Sequence, residues 1–269
     1  MNPEIPSERS IFLWPNQPPH SAPSDTFRPW LDPYLVKGNR LRGAVLICPG
    51  GGYTGRAAHE GIAIAQRFNQ DGLHAFVVHY RVSPNRHPAP LLDVSRAMRM
   101  IRQRAVEWLV STDHIAVCGF SAGGHLTASL GVHFDTEFTR AGDPIEKISS
   151  RPDALILCYP VITSGPHSHR GSFNQLLGEN PSPELMEKMS LERQVTSKTP
   201  PSFLWHTAED KGVRVENSLL FAQALSQNKV PFELHVYPAG RHGLGLALED
   251  PHVATWMPLC CEWLRGMDW

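Results

Sequence analysis

The chain has 269 residues, 41% of them hydrophobic, with 25 Lys and Arg against 26 Asp and Glu and a formal net charge of -1. That balance, without any block of basic residues, argues against nucleic acid or an anionic membrane surface as a partner, and no apolar run approaches the roughly 20 residues of a spanning helix. The length suits one domain, residues 1–269, that removes roughly three quarters of its unfolded surface from water.

The opening run Met1-Asn2-Pro3-Glu4-Ile5-Pro6 lacks the basic and apolar regions of a secretory leader. Residues 1–40 are rich in proline, and the strand-like pieces at 10–14 and 33–36 are expected as irregular first strands. From there strands near 44–48, 74–80, 115–118, 154–159, 202–206 and 232–237 alternate with helices near 59–71, 90–107, 122–133, 215–228 and 251–265. Such alternation predicts βαβ crossovers, hence an α/β fold with a mostly parallel sheet and helices on both faces. Residues 161–199 break the rhythm: they are polar, hold Gly165-Pro166 and Asn180-Pro181-Ser182-Pro183, and predict one helix, near 183–189. An insertion at this point lies over the strand C-terminal ends, which makes the segment a candidate cap over a substrate pocket. Cys48, Cys118 and Cys158 fall near the ends of core strands, where cysteine serves as a small buried hydrophobe, and Cys260 and Cys261 fall in the last helix. This usage suits a reducing cytoplasm.

The most informative run is Gly119-Phe120-Ser121-Ala122-Gly123, between the apolar Ile115-Ala116-Val117-Cys118 and a segment rich in Ala and Leu. It reads as strand, sharp turn and helix with serine at the apex, where small neighbours permit close backbone approach and a positive φ. A serine hydroxyl becomes a competent nucleophile only beside a base that an acid orients. The strand 202–206 empties into Thr207-Ala208-Glu209-Asp210, so Glu209 and Asp210 are the acid candidates; Asp210 is preferred because Val213 and Val215 resemble the lead into the next helix. The strand 232–237 ends at Pro238-Ala239-Gly240-Arg241-His242-Gly243, and loop position, glycine flanks and chain order single out His242 from the fourteen histidines. Upstream, Pro49-Gly50-Gly51-Gly52-Tyr53 places three glycines after a strand. They imply backbone N–H groups facing an anion, so Gly51, Gly52 and Ala122 are assigned to an oxyanion hole. No Gly-Lys-Ser/Thr follows to make this a phosphate cradle, and the glycines do not fit a dinucleotide fingerprint.

These segments resemble an α/β-hydrolase of the esterase and lipase type, in the acetylesterase, acetyl-xylan-esterase-like or BD-FAE-like group. The likeness is carried by 49–53, His79-Tyr80-Arg81-Val82, His87-Pro88-Ala89-Pro90-Leu91-Leu92-Asp93, 119–126, Leu176-Leu177-Gly178-Glu179-Asn180-Pro181, 205–219 and 241–246, and it spans about residues 40–248. Pro49 departs from relatives that carry His there, and Arg214 from the proline common after the valine. The resemblance implies a serine esterase with a Ser121–His242–Asp210 triad, no cofactor, and a small-molecule ester as partner, acetate first, on a carbohydrate or similar alcohol; a homo-oligomer is compatible with it. A peptidase of the prolyl-oligopeptidase type shares the triad order but usually adds a propeller, for which the chain has no room, and an inactive hydrolase fold serving as a binding module is the rival of another class. Tyr53 either lines the substrate pocket or packs. Arg81 and Asp93 are read as a structural ion pair, with Asp93 in the first turn of its helix, and His125 as a packed, hydrogen-bonded residue. His167, His169 and His206 lack the spacing of a metal site.

Overall fold

The computed structural model describes residues 5–22, 25–136 and 143–269; residues 1–4, which carry most of the leader argument, lie outside them. Eight strands form one sheet in the order β1-β2-β4-β3-β5-β6-β7-β8. They are β1 (Ile11–Phe12), β2 (Trp30–Tyr34), β3 (Arg42–Cys48), β4 (His74–His79), β5 (Val110–Phe120), β6 (Ala154–Cys158), β7 (Ser202–Thr207) and β8 (Phe232–Tyr237). The pairs β1–β2 and β2–β4 are antiparallel, and every other pair is parallel. The inner parallel strands β3, β4 and β6 read as apolar runs because helices cover both faces of the sheet there, whereas β8, at the edge, alternates and is only partly buried.

Side-chain alternation sorts these runs between two cores. Ala44, Leu46 and Cys48 of β3 and Ile115 and Val117 of β5 pack with α2 (Ala89–Gln103) and α4 (Ala122–His133). Their neighbours Val45, Ile47, Ala116 and Cys118 face the other way, onto α1 (Ile62–Gln70) and α8 (Trp256–Arg265). Beyond β6, Leu155, Leu157 and Leu204 pack on α7 (Glu216–Gln227).

Several boundaries moved. β5 starts at Val110, ahead of the apolar run, because Val110 pairs with Arg42; the polar residues 111–114 fall in the register shift before Ile115 pairs with Ala44. The short α3 (Ala105–Trp108) is set off from α2 by Arg104, and the expected first and last helices each open with a separate 3-10 turn, Ala58–Glu60 and Val253–Thr255. Within 161–199 the expected helix is present as α6 (Pro183–Lys188), while a second, α5 (Arg170–Leu177), was not anticipated. Its signal was the apolar triplet Phe173, Leu176 and Leu177, at helical spacing; all three are buried in the core beside Tyr53 and Leu91.

Arg81 and Asp93 form a fully buried bidentate pair, with Nε to Oδ2 and Nη2 to Oδ1 both 2.8 Å, and Trp14 Nε1 donates to Asp93 Oδ1 at 2.8 Å. The pairing agrees with the reading, but the placement does not: α2 begins at Ala89, so Asp93 lies past its first turn and acts through Arg81 instead of the helix dipole. All five cysteines are buried free thiols.

Candidate active site

Ser121 stands between β5 and α4 with φ 53° and ψ -119°, a conformation that costs a non-glycine residue free energy and that the surrounding close packing maintains. The packing explains the flanking glycines. A Cβ on Gly119 would lie 2.2 Å from the Gly123 carbonyl oxygen, and one on Gly123 would lie 2.1 Å from that of Cys48. The elbow is therefore pressed against the end of β3, the strand that feeds the glycine loop.

Ser121, His242 and Asp210, drawn from three widely separated loops, form one hydrogen-bonded chain. His242 Nε2 is 2.8 Å from Ser121 Oγ, and His242 Nδ1 is 2.6 Å from Asp210 Oδ2. A carboxylate only accepts, so Nδ1 carries the proton and Nε2 is left to accept from the serine hydroxyl. The other oxygen of Asp210 accepts the N–H groups of Gly212 at 2.8 Å and Val213 at 2.9 Å. Burial opposes ionisation of Asp210, but hydrogen bonds from His206 and His242 outweigh it and hold the carboxyl well below its usual range. Glu209 is exposed, and no such donor set surrounds it among the described residues.

His206 was not anticipated in this role. It is the penultimate residue of β7, and its Nε2 lies 2.9 Å from the Val213 carbonyl and 3.5 Å from Asp210 Oδ2, while Nδ1 meets Ser218 Oγ at 2.8 Å. Its spacing of four from Asp210, across the strand end, was the available signal.

The loop Gly50–Tyr53 abuts Ser121: a Cβ on Gly50 would lie 3.0 Å from Ser121 Cβ. Gly51 and Gly52 have φ of 128° and 64°, the left-handed region that favours glycine. Among the described residues, the backbone N–H groups of Gly51, Gly52 and Ala122 donate to no protein acceptor. Tyr53 is 1% exposed and its hydroxyl meets His125 Nδ1 at 2.9 Å, so the ring packs behind the loop and does not form an open pocket wall. His125 Nε2 meets the Met189 carbonyl at 3.0 Å, which fits the packed role expected of it.

His169 caps α5, its Nδ1 accepting the Ser172 N–H at 3.2 Å, and burial together with nearby His242 pushes its pKa down. His167 instead approaches Glu216 at 3.8 Å. Among the described residues, no group of three or more His, Cys, Asp or Glu could hold a metal ion, and no helix is long and apolar enough to cross a membrane.

Burial pushes His125 and His87 down to about 4. Between the unfolded value of about 6.5 and that folded value the unfolded chain binds more protons, so stability falls as pH drops through this window. By pH 5 each histidine should cost about 2 kcal/mol relative to neutral pH. Urea unfolding at pH 7 and pH 5 checks this; an unchanged unfolding free energy would mean that both rings are protonated in the folded protein.

The sheet order and the strand–turn–helix at Ser121, with Asp210 and His242 just beyond the ends of β7 and β8, define the α/β-hydrolase fold. The chain belongs to the BD-FAE family, whose model matches residues 31–225. It is 42% identical over 88% of its length to the endo-1,4-beta-xylanase B of Butyrivibrio fibrisolvens and 31% identical over 75% to an acetylxylan esterase of Xylanibacter ruminicola. It spans 38% and 41% of those two proteins. Among solved structures, an acetyl ester-xyloside bifunctional hydrolase from Caldicellulosiruptor lactoaceticus matches with TM-score 0.94 and 47% identity, covering 98% of both chains. The carboxylesterase Cest-2923 from Lactobacillus plantarum matches with TM-score 0.77 and 26% identity over 92% of this chain and 96% of that one.

Proposed function

We propose that the protein is a serine carboxylesterase that removes short acyl groups, acetate first, from esters of carbohydrates or similar small alcohols. The observation that carries this reading is the Ser121–His242–Asp210 hydrogen-bonded chain, with lengths of 2.8 and 2.6 Å. Ser121 Oγ attacks the ester carbonyl carbon while His242 Nε2 takes its proton. The carbonyl π pair moves onto oxygen, and the oxyanion meets the Ala122 N–H and those of Gly51 and Gly52. When the tetrahedral centre collapses, the C–O bond to the alcohol breaks and His242 returns the proton to the leaving oxygen. Water then repeats the sequence on the acyl-enzyme, releasing the acid and restoring Ser121. Asp210, acceptor-only, keeps Nδ1 protonated and stabilises the imidazolium that forms. No cofactor enters these steps.

The chain is read as one catalytic domain with 161–199 as a small cap. An acetylated carbohydrate substrate is supported by the relatives named for acetylxylan and for an acetyl ester-xyloside. Short acyl preference has its own support. Of the apolar side chains in that segment, Val161, Ile162, Phe173, Leu176, Leu177, Met189, Leu191 and Val195 are buried, leaving Leu185 and Met186 partly exposed. A long chain needs a contiguous apolar trough that contributes about 0.8 kcal/mol per buried methylene, and two side chains do not make one.

A series of p-nitrophenyl esters from acetyl to dodecanoyl, run beside acetylated sugars and xylan, tests this. The expected kcat/KM is highest for acetyl or propionyl and at least about tenfold lower by octanoyl, given the missing methylene burial. A profile rising toward the long acyl chains would replace the deacetylase reading with a lipase-like one.

A further inference from the structure

Glu60 closes the 3-10 turn Ala58–Glu60 and is 2% exposed. A carboxylate withdrawn from water is costly unless its oxygens find donors, and here both do. Oε2 accepts the Gly50 N–H at 2.7 Å, and Oε1 accepts the Tyr159 hydroxyl at 2.7 Å. The Tyr159 oxygen in turn accepts the Gly245 N–H at 2.8 Å. The preceding residue reaches the same loop, because His59 Nε2 lies 3.0 Å from the Gly243 carbonyl oxygen.

These contacts join two loops that are far apart in sequence and converge on Ser121. Gly50 opens the glycine loop that presents Gly51 and Gly52, and Gly243 to Gly245 follow directly on His242. Tyr159 sits at the end of β6 with φ 37°, a strained value for a residue with a side chain. Its ring lies edge-on to the His242 imidazole, with centroids 5.1 Å apart and an interplanar angle of 70°. Each loop has its own anchors, Tyr53 in one core and Leu244 and Leu246 against the other, but those anchors do not join one loop to the other. The Glu60 carboxylate bonds to the first loop directly and to the second through Tyr159.

The geometry points to Glu60 as a positioning residue of the ester-hydrolysing site: through Gly50 and through Tyr159 it holds the oxyanion donors and the histidine loop in register with Ser121. It rests on the esterase reading above. Two acceptor oxygens serve both donors at once, whereas a Gln side chain that accepts from the Gly50 N–H turns its NH₂ to the Tyr159 oxygen and leaves the Tyr159 proton without its acceptor.

The test compares full-length wild type, Glu60→Gln, Tyr159→Phe and the double variant. It measures kcat and KM on p-nitrophenyl acetate and inhibition by an alkyl boronic acid, a mimic of the tetrahedral intermediate. Glu60→Gln should lower kcat by about 10- to 100-fold, in the range of a misaimed oxyanion donor. Its KM should stay within about threefold, and boronate affinity should fall with kcat, as expected for an interaction made in the transition state. Tyr159→Phe, which keeps the ring beside His242, should cost about tenfold in kcat, and the double variant should be little worse than Glu60→Gln alone. A Glu60→Gln kcat within about twofold of wild type, a loss confined to KM, or fully multiplying losses would each overturn the proposal. If Glu60→Gln does not fold, the kcat, KM and boronate measurements on Tyr159→Phe decide by the same criteria. A wild type that hydrolyses no ester overturns the esterase reading itself, whereas an active wild type with unaffected variants overturns the tether alone.

Discussion

Replacing Ser121 by Ala is expected to lower kcat by about 10⁴ to 10⁶, and replacing His242 by Ala to do the same, with the double variant little worse than either. The reason is geometric. The serine hydroxyl is activated only by donating its proton to Nε2 across 2.8 Å, so either deletion removes the whole proton-transfer step, and a second deletion finds nothing further to remove. The residual rate reports the oxyanion donors and binding. Steady-state kinetics on p-nitrophenyl acetate measure the loss. A fluorophosphonate probe should label the wild-type protein at Ser121 and fail to label Ser121→Ala. If Ser121→Ala kept more than a tenth of the activity, the nucleophile would lie elsewhere; if the wild-type protein took up no probe, the binding-module alternative would stand.

The second large effect separates two adjacent acids. Asp210→Asn should fold and lose about 10⁴ in kcat, because an amide beside Nδ1 can donate and so stabilises the wrong tautomer. The loss should be sharp because Asp210 is built in. Both oxygens are engaged, one by Gly212 and Val213 N–H groups and the other by His242 with His206 nearby. Glu209, one residue earlier, is exposed, and Glu209→Gln should cost under about tenfold, since an exposed carboxylate is screened by solvent. Rates for the two variants, measured side by side with their circular dichroism spectra, decide the assignment. An exchange of the two outcomes would move the acid to Glu209.

Much of this was legible because it follows short-range rules. The inner parallel strands β3, β4 and β6 announce themselves as apolar runs, since both faces are covered there. Ser121 is marked by glycines on either side, and the structure shows why: Cβ atoms at Gly119 or Gly123 would collide with backbone carbonyls. His242 follows from its place after the last strand. The boundaries that moved did so for tertiary reasons. The polar start of β5 carries no strand pattern of its own and is recruited by Arg42 of β3. The polar and Gly171-containing α5 is stabilised by the burial of Phe173, Leu176 and Leu177.

The sequence by itself determined the fold class and the alternation of the main strands and helices, and it singled out the candidate site residues, because periodicity and glycine sterics are properties of neighbouring residues. Only the tertiary structure placed Asp210 rather than Glu209 against His242, turned Tyr53 into a packed residue bonded to His125, and brought His206 to Asp210 and Glu60 to both Gly50 and Tyr159. A buried carboxylate such as Glu60 looks in sequence like any surface glutamate. Its role comes from donors contributed by residues 10 positions upstream and 99 positions downstream, and such long-range pairings are set by packing of the sheet and its loops, which no local pattern encodes.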